Sequence, residues 1–369
     1  MTQRILIVGG TGRIGLAVAH DLFRYTTAEL ILTGRDAVKG AAVAAEFGHR
    51  GRFASLDLTA TSVDELAATI ADMDLVIQCA GPFRTLPPTL LAAAIVARVN
   101  YVDICDDRRA TEVRLGLHDA ARAAGITALI DTGTFPGIDN VMAADGLARF
   151  PDADDVRLHF VCAGSGNGGY GVLETTFIAV SSPYEELVDG AWRLTPSYRE
   201  RQVVDFGSPL GKRPVYNFEV PELWSLAATF PRLRRCTSKF GTIPELWNWS
   251  TVALASAPVH VRTDPKFIGD SVTFMLPIVH WFDRWTGGDL GIRVEVRTPA
   301  GEGEALHFYA PSTSAAVGWA TGAAACMVLD GTIGEPGVHL PETHIPPDSY
   351  RDALTHRGGR FWHAALAPR

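Results

Sequence analysis

Ile5-Leu6-Ile7-Val8-Gly9-Gly10-Thr11-Gly12-Arg13-Ile14-Gly15 is a short apolar strand running straight into Gly10-x-Gly12-x-x-Gly15 and on into a helical pattern, with Ile14, Val18 and Leu22 on one face. This is the strand–turn–helix of a dinucleotide-binding turn. Gly10 permits the tight turn, Gly12 lets backbone come close to a pyrophosphate, and Gly15 allows close packing of helix on strand. The pyrophosphate would sit on the exposed N–H groups and the positive dipole end of the helix. Gly10, Thr11, Gly12, Arg13 and Ile14 are therefore the first candidate cofactor residues.

The second strand, Glu29-Leu-Ile-Leu-Thr-Gly34, ends about 20 residues past the turn, where NAD-specific proteins carry an acid for the ribose 2′-hydroxyl. Here the end reads Thr33-Gly34-Arg35. Gly34 leaves room and removes negative charge, and the Arg35 guanidinium suits a 2′-phosphate, with Lys39 and Arg13 as further cations. The pattern favours NADP(H) over NAD(H). Asp36 is placed to cap the next helix, or to bond the ribose if the strand ends one or two residues later.

Length and charge narrow the class. A chain of 369 residues has room for two domains and a sizeable core. A formal net charge of −8 argues against nucleic acid as the main partner and for a small-molecule substrate. The apolar runs around 86–99 and 315–329 are too short or too interrupted for stable membrane insertion. The first strand begins at once, so a cytoplasmic location is the expectation. Five cysteines at 79, 105, 162, 236 and 326 form no CxxC pair and read as free thiols. The histidines show no metal-ligand spacing, so no metal is expected.

The first 150 residues alternate apolar strands, near 4–9, 29–33, 52–56, 74–79, 100–104 and 127–131, with amphipathic helical patterns. Such alternation predicts an α/β domain of Rossmann type, a doubly wound parallel sheet with ligands at the carboxyl ends of its strands. From 151 to 309 longer β-like stretches, aromatics and prolines predict a second, α+β domain with a mixed or antiparallel sheet for substrate binding and dimerisation. Its expected strands include 156–162, 175–180, 272–277 and 292–297. Residues 310–369, with a helix at 314–329 and another near 347–356, are expected to pack back on the first domain.

Residues at the strand ends carry the candidate chemistry. Asp57 and Leu58 follow the third strand; Ala80, Gly81 and Pro82 follow the fourth, where small residues make room for ribose and nicotinamide. Asp103, in Asn100-Tyr-Val-Asp-Ile-Cys-Asp-Asp107, is a carboxylate able to bind a substrate ammonium or trade a proton. Asp106 or Asp107 equally suits a helix N-cap. Asn140, in Asp131-Thr-Gly-Thr-Phe-Pro-Gly-Ile-Asp-Asn140, offers a donor and acceptor beside a helix start near Pro136. The glycine-dense stretch 163–171 suits a loop closing over the nicotinamide, with Tyr170 contributing a hydroxyl. Trp224, Trp247, Trp249, Trp281 and Trp285 suit a large apolar pocket, a subunit interface or core.

With these residues in place, the chain resembles the saccharopine dehydrogenase/reductase-like family. The glycine turn, Cys79-Ala-Gly-Pro-Phe83, Tyr101-Val-Asp103, Pro136-Gly-Ile-Asp-Asn140 and Gly337-Val-His-Leu-Pro-Glu342 fall in the order such proteins show, most closely over the first 145 residues. The resemblance implies a homodimeric oxidoreductase using NADP(H) for hydride transfer at a C=N centre, as in saccharopine and carboxynorspermidine metabolism. Its catalytic candidates here are Asp103, Asn140 and Tyr170. Members making saccharopine read Leu-Asp-Pro-Gly-Ile-Asp-His where this chain has Phe135 and Asn140, which points to another substrate. A short-chain-dehydrogenase-like carbonyl or C=C reductase would need Tyr-x-x-x-Lys, and none of the eight tyrosines has a lysine four residues on. The non-enzyme alternative is an NADP-sensing regulatory protein without turnover.

Overall fold

The computed structural model describes residues 2–164 and 169–366. The chain forms two compact units, Met1–Ile138 with Val317–Leu354, and Asp139–Ala316 with Thr355–Arg369. The first unit thus closes twelve residues before the break in sequence texture at 150, and the tail after Leu354 belongs to the second.

In the first unit, strands β1 (Arg4–Val8), β2 (Glu29–Gly34), β3 (Gly51–Ser55), β4 (Leu75–Gln78), β5 (Asn100–Asp103) and β6 (Thr127–Leu129) alternate with helices α1 (Arg13–Tyr25), α2 (Ala37–Ala45), α3 (Val63–Ile70), α4 (Thr89–Ala97), α5 (Arg108–Leu115) and α6 (His118–Ala124). The sheet is parallel throughout and runs β6-β5-β4-β1-β2-β3, with Gly337–His339 paired to β6 at the far edge. β1 and β4 are buried along almost their whole length, as strands covered on both faces must be, which is why they read as unbroken apolar runs. On one face Leu6, Val8, Val76 and Tyr101 pack against Leu66, Ile70, Leu91 and Ala94 of α3 and α4. Local signals set the helix starts: Ser62 and Glu65 form a capping box on α3, and the Asp36 carboxylate accepts from the Lys39 backbone N–H at the start of α2. The order reverses between β1 and β4, so the glycine turn after β1 lies at the switch point where ligands bind in such sheets.

The second unit contains α7 (Ile138–Arg149), strands β7 (Asp155–Ala163), β8 (Tyr184–Val188), β9 (Ala191–Thr195), β10 (Gln202–Asp205), β11 (Lys212–Asn217), β12 (Arg235–Ile243), β13 (Leu290–Arg297) and β14 (Gly303–Ala310), and helices α8 (Tyr170–Ser181), α9 (Glu222–Thr229), α10 (Glu245–Ala255), α11 (Val259–Arg262) and α12 (Pro265–Thr286). Its mixed sheet runs β10-β11-β12-β7-β13-β14 and ends on the late strand Arg360–Ala365, with β8 and β9 on a branch from β12. The pair β7–β12 is parallel and the remaining pairs are antiparallel.

Two expected strands are helical. Residues 175–180 lie in α8 and 272–277 in α12. A short apolar run does not distinguish a strand from one face of a partly buried helix, and the decisive feature lies outside each run. For α12 it is Asp264-Pro265: Asp264 accepts from the Lys266 N–H as N-cap and Pro265 takes the first turn.

Candidate functional site

The glycine turn has the shape its sequence predicts. Gly9 sits at φ +81°, and a Cβ there would meet the Ala80 backbone N at 2.8 Å, so the turn after β1 touches the segment after β4. A Cβ on Gly15 would lie 2.3 Å from the Gly9 carbonyl oxygen. Helix α1 can approach β1 this closely only through a residue without a side chain. Gly12 is exposed, and a Cβ on it would meet only the Gly9 carbonyl, at 3.1 Å. It is the N-cap of α1 with no side chain satisfying the first-turn donors, which leaves them to a ligand anion. Thr11 donates its N–H to the Thr33 carbonyl at 3.3 Å, joining the turn to the end of β2.

At that end, a Cβ on Gly34 would fall 2.2 Å from the Thr11 hydroxyl oxygen, so a carboxylate side chain has no room there. Asp36 is committed to capping α2. Arg35 and Lys39 remain, both exposed. Asp57, beyond β3, accepts from the Thr59 N–H at 3.0 Å and hydroxyl at 2.7 Å; these bonds, with Arg35 contributing, hold its carboxyl below the usual range. Leu58 packs on the first unit's core, and Ala80 and Pro82 are half-buried beside the exposed Gly81. The turn, Arg35 and the small segment after β4 therefore line the carboxyl edge of the sheet around its switch point. The exposed cations at the second strand end fit a 2′-phosphate.

Asp103 occupies a different environment. Its side chain is fully buried and its carboxylate accepts from the Tyr101 hydroxyl at 2.9 Å, the Cys105 N–H at 3.0 Å and the Asp131 N–H at 2.9 Å. It is ion-paired to Arg114 Nε at 3.1 Å, and the Arg114 guanidinium lies 5.0 Å from the Phe83 ring centroid. The Asp103 carbonyl also accepts from the Thr132 N–H and hydroxyl. Burial, then the Asp103 charge, pushes the Tyr101 phenol well above its ordinary range and keeps it a donor. These contacts make Asp103 a brace between the ends of β5 and β6, not a group facing solvent. Beside it, Asp131 at φ +62° accepts from the Thr111 hydroxyl at 2.9 Å and 3.0 Å, and burial, then Asp103, raises its carboxyl well above the carboxylate norm. Sequence reasoning missed Arg114, Asp131 and Thr111, because an arginine in a polar helix reads as surface until the fold buries it.

In the second unit, Asn140 lies in the first turn of α7, buried, its amide donating to the Ser225 hydroxyl at 3.4 Å. The helix begins at Ile138, two residues after Pro136. Tyr170 starts α8 and is 42% exposed. Residues 165–168 of the glycine-dense stretch lie outside the described residues. Asp107 caps α5 by accepting from the Ala110 N–H.

Residues 5–129 match the saccharopine dehydrogenase NADP binding domain. Residues 5–129 thus form an NADP-binding domain of saccharopine dehydrogenase type. NADP(H) is the cofactor of this domain, in agreement with the Gly34-Arg35 strand end. The carboxynorspermidine synthases of Vibrio alginolyticus and Vibrio cholerae are each 25% identical to it over 193 residues, 48% of this chain and 46% of theirs. The match thus spans about half the length of these curated relatives. The apo saccharopine dehydrogenase (L-Glu forming) of Saccharomyces cerevisiae superposes with a TM-score of 0.72 over 99% of this chain and 100% of that one, at 16% identity, a likeness of fold. Among the described residues no group of side chains forms a metal site, and no helix is long and apolar enough to cross a membrane.

Proposed function

We propose that this saccharopine dehydrogenase-like protein is an NADP(H)-dependent oxidoreductase acting at a C=N centre, interconverting an imine and a secondary amine of a small metabolite. The observation that carries the reading is the glycine turn, with a strand end that replaces the ribose-binding acid by Gly34-Arg35, inside an NADP-binding domain of this family. The carboxynorspermidine synthase relatives support the C=N assignment.

NADPH, when bound, would supply a hydride for the electrophilic carbon. Gly10, Thr11, Gly12, Arg13 and Ile14 would hold its pyrophosphate on the first-turn N–H groups of α1. Arg35 and Lys39 would take the 2′-phosphate. Asp57 and Leu58 border the adenosine end, and Ala80, Gly81 and Pro82 leave space beside the nicotinamide ribose. Asp103, through Arg114 and the backbone of Asp131 and Thr132, positions the strand ends. Asn140 and Tyr170 are the substrate-facing candidates, of which the Tyr170 hydroxyl is the accessible one. The net charge of −8 supports a small metabolite over nucleic acid as partner, and five free thiols support a reducing, cytoplasmic setting.

The test follows NADPH oxidation by the full chain with a panel of amine-plus-aldehyde and amine-plus-keto-acid pairs, against each carbonyl compound alone. Turnover that requires both components is expected. Tight NADPH binding with no oxidation by any pair, or turnover on the carbonyl compounds alone, overturns the C=N assignment.

A further inference from the structure

The face of the first unit's sheet that packs on α3 and α4 is apolar up to its carboxyl end, where β4 finishes on Gln78. Gln78 is two residues past Val76 and so points to the same face, in register with Val8 of β1 and Asp103 of β5. It is buried, and so are Tyr101, Asp103 and Arg114. Polar groups in such a place are costly unless each finds a partner. Here they form a chain. The Arg114 guanidinium pairs with the Asp103 carboxylate, and the Tyr101 oxygen lies 2.9 Å from Asp103 Oδ2 and 2.8 Å from Gln78 Oε1, its one proton facing both acceptors. Gln78 Nε2 then donates to the Ala80 carbonyl at 3.1 Å. That last bond fixes which way the amide faces, because a carbonyl can only accept. The amide oxygen is thereby turned to the Tyr101 hydroxyl, which burial keeps protonated.

Ala80 is also where the segment after β4 meets the glycine turn. A Cβ on Gly9 would lie 2.8 Å from the Ala80 N and 3.1 Å from the Ala80 Cβ, so the turn abuts this residue while Gln78 holds its carbonyl. Three residues on, Phe83 is buried with Cys105 and Ala110, and the Arg114 guanidinium lies 5.0 Å from its ring centroid. Arg114 thus supports both ends of the segment, directly at Phe83 and through Asp103, Tyr101 and Gln78 at Ala80. We infer that Gln78, oriented by Tyr101, is a positioning residue that registers Ala80–Pro82 against the pyrophosphate-binding turn, a role that rests on the proposed placement of NADPH along this edge and not on the C=N chemistry. Gln78 acts through the Ala80 backbone. The adenosine half of the nucleotide uses the turn and the end of β2, whereas the nicotinamide half needs the turn and segment 80–82 in register. Loss of the Gln78 bond therefore separates the two halves in affinity.

The experiment measures the Kd of NADPH and of 2′,5′-ADP, which carries the adenosine and 2′-phosphate without nicotinamide, for the full native chain, Gln78→Met and Tyr101→Phe. Both substitutions keep the side chain's size and remove one link of the chain. The ratio of the two affinities is the readout, because a loss of folding stability alone moves both nucleotides together. Each variant is expected to weaken NADPH about tenfold, the worth of one buried hydrogen bond, while 2′,5′-ADP stays within about twofold. The fluorescence of the bound nicotinamide is expected to fall back toward that of free NADPH. A ratio that stays at the native value in either variant overturns the inference. A native chain that holds NADPH no tighter than 2′,5′-ADP overturns it as well, by removing the nicotinamide half from this edge. Failure of the C=N assignment shows elsewhere, in the turnover panel on the native chain, and leaves these affinities as they are.

Discussion

Replacing Asp103 by Asn separates a structural brace from a catalytic acid. Asparagine keeps the size and one acceptor oxygen, so the Cys105 and Asp131 N–H bonds can persist. What is lost is the charge opposite Arg114, whose side chain is 1% exposed and whose Nε lies 3.1 Å from the carboxylate. Leaving one partner of a buried pair uncompensated costs about 3–5 kcal/mol, a large part of the 5–15 kcal/mol that holds a typical domain folded. The expected drop in melting temperature is on the order of 10 °C for a unit of this size. Arg114→Met should cost a comparable amount, and the double variant much less than both together, because it removes both charges and leaves neither stranded. Thermal and urea unfolding of the four proteins, with NADPH turnover measured below each melting temperature, reads the outcome. An Asp103→Asn protein as stable as the native chain but inactive would refute the brace and restore Asp103 to the chemistry.

The two glycines of the turn should separate by mechanism. Gly15→Ala drives a Cβ into the Gly9 carbonyl and should cost about 3 kcal/mol of stability, whereas Gly12→Ala meets only one atom at 3.1 Å and should weaken NADPH binding while melting normally; thermal shift with and without NADPH checks both. Acid should destabilise the second unit through two histidines. Burial lowers His159 and His307 to about 4, against the opposing Glu295 charge at His159 and helped by Arg293, with which both pair across the sheet. Between an unfolded value of about 6.5 and 4 the unfolded chain binds the extra protons. Stability present above pH 6.5 is therefore lost as pH falls, by on the order of 3 kcal/mol per histidine. His159→Gln should flatten that slope in urea unfolding followed by tryptophan fluorescence, and an unchanged slope would clear His159 of the effect.

Much of the first unit is legible in its sequence because local and global signals agree. β1 and β4 are apolar runs of strand length, the glycines sit where the backbone must turn or touch, and Asp36 caps the helix it precedes. The second unit is less legible because its signals are tertiary. The run at 272–277 is equally apolar in either secondary structure, and only Asp264-Pro265 marks the helix it belongs to. The β8–β9 hairpin did carry a local cue, Asp189-Gly190, both residues at positive φ between paired Val188 and Ala191. Asp103 shows the limit at the site. Its place at a strand end is readable, whereas the buried Arg114 that defines its role lies eleven residues away on a helix that reads as polar surface.

The most direct test of the account is a titration of the native chain and Arg35→Ala with NADPH and with NADH, following nicotinamide fluorescence. The 2′-phosphate reading predicts that the native chain binds NADPH at least about tenfold tighter, since a charge-assisted contact contributes roughly 1.5–3 kcal/mol, and that Arg35→Ala loses most of that preference while holding NADH as before. Equal affinity of the native chain for the two nucleotides, or an equal loss of both in the variant, would contradict it.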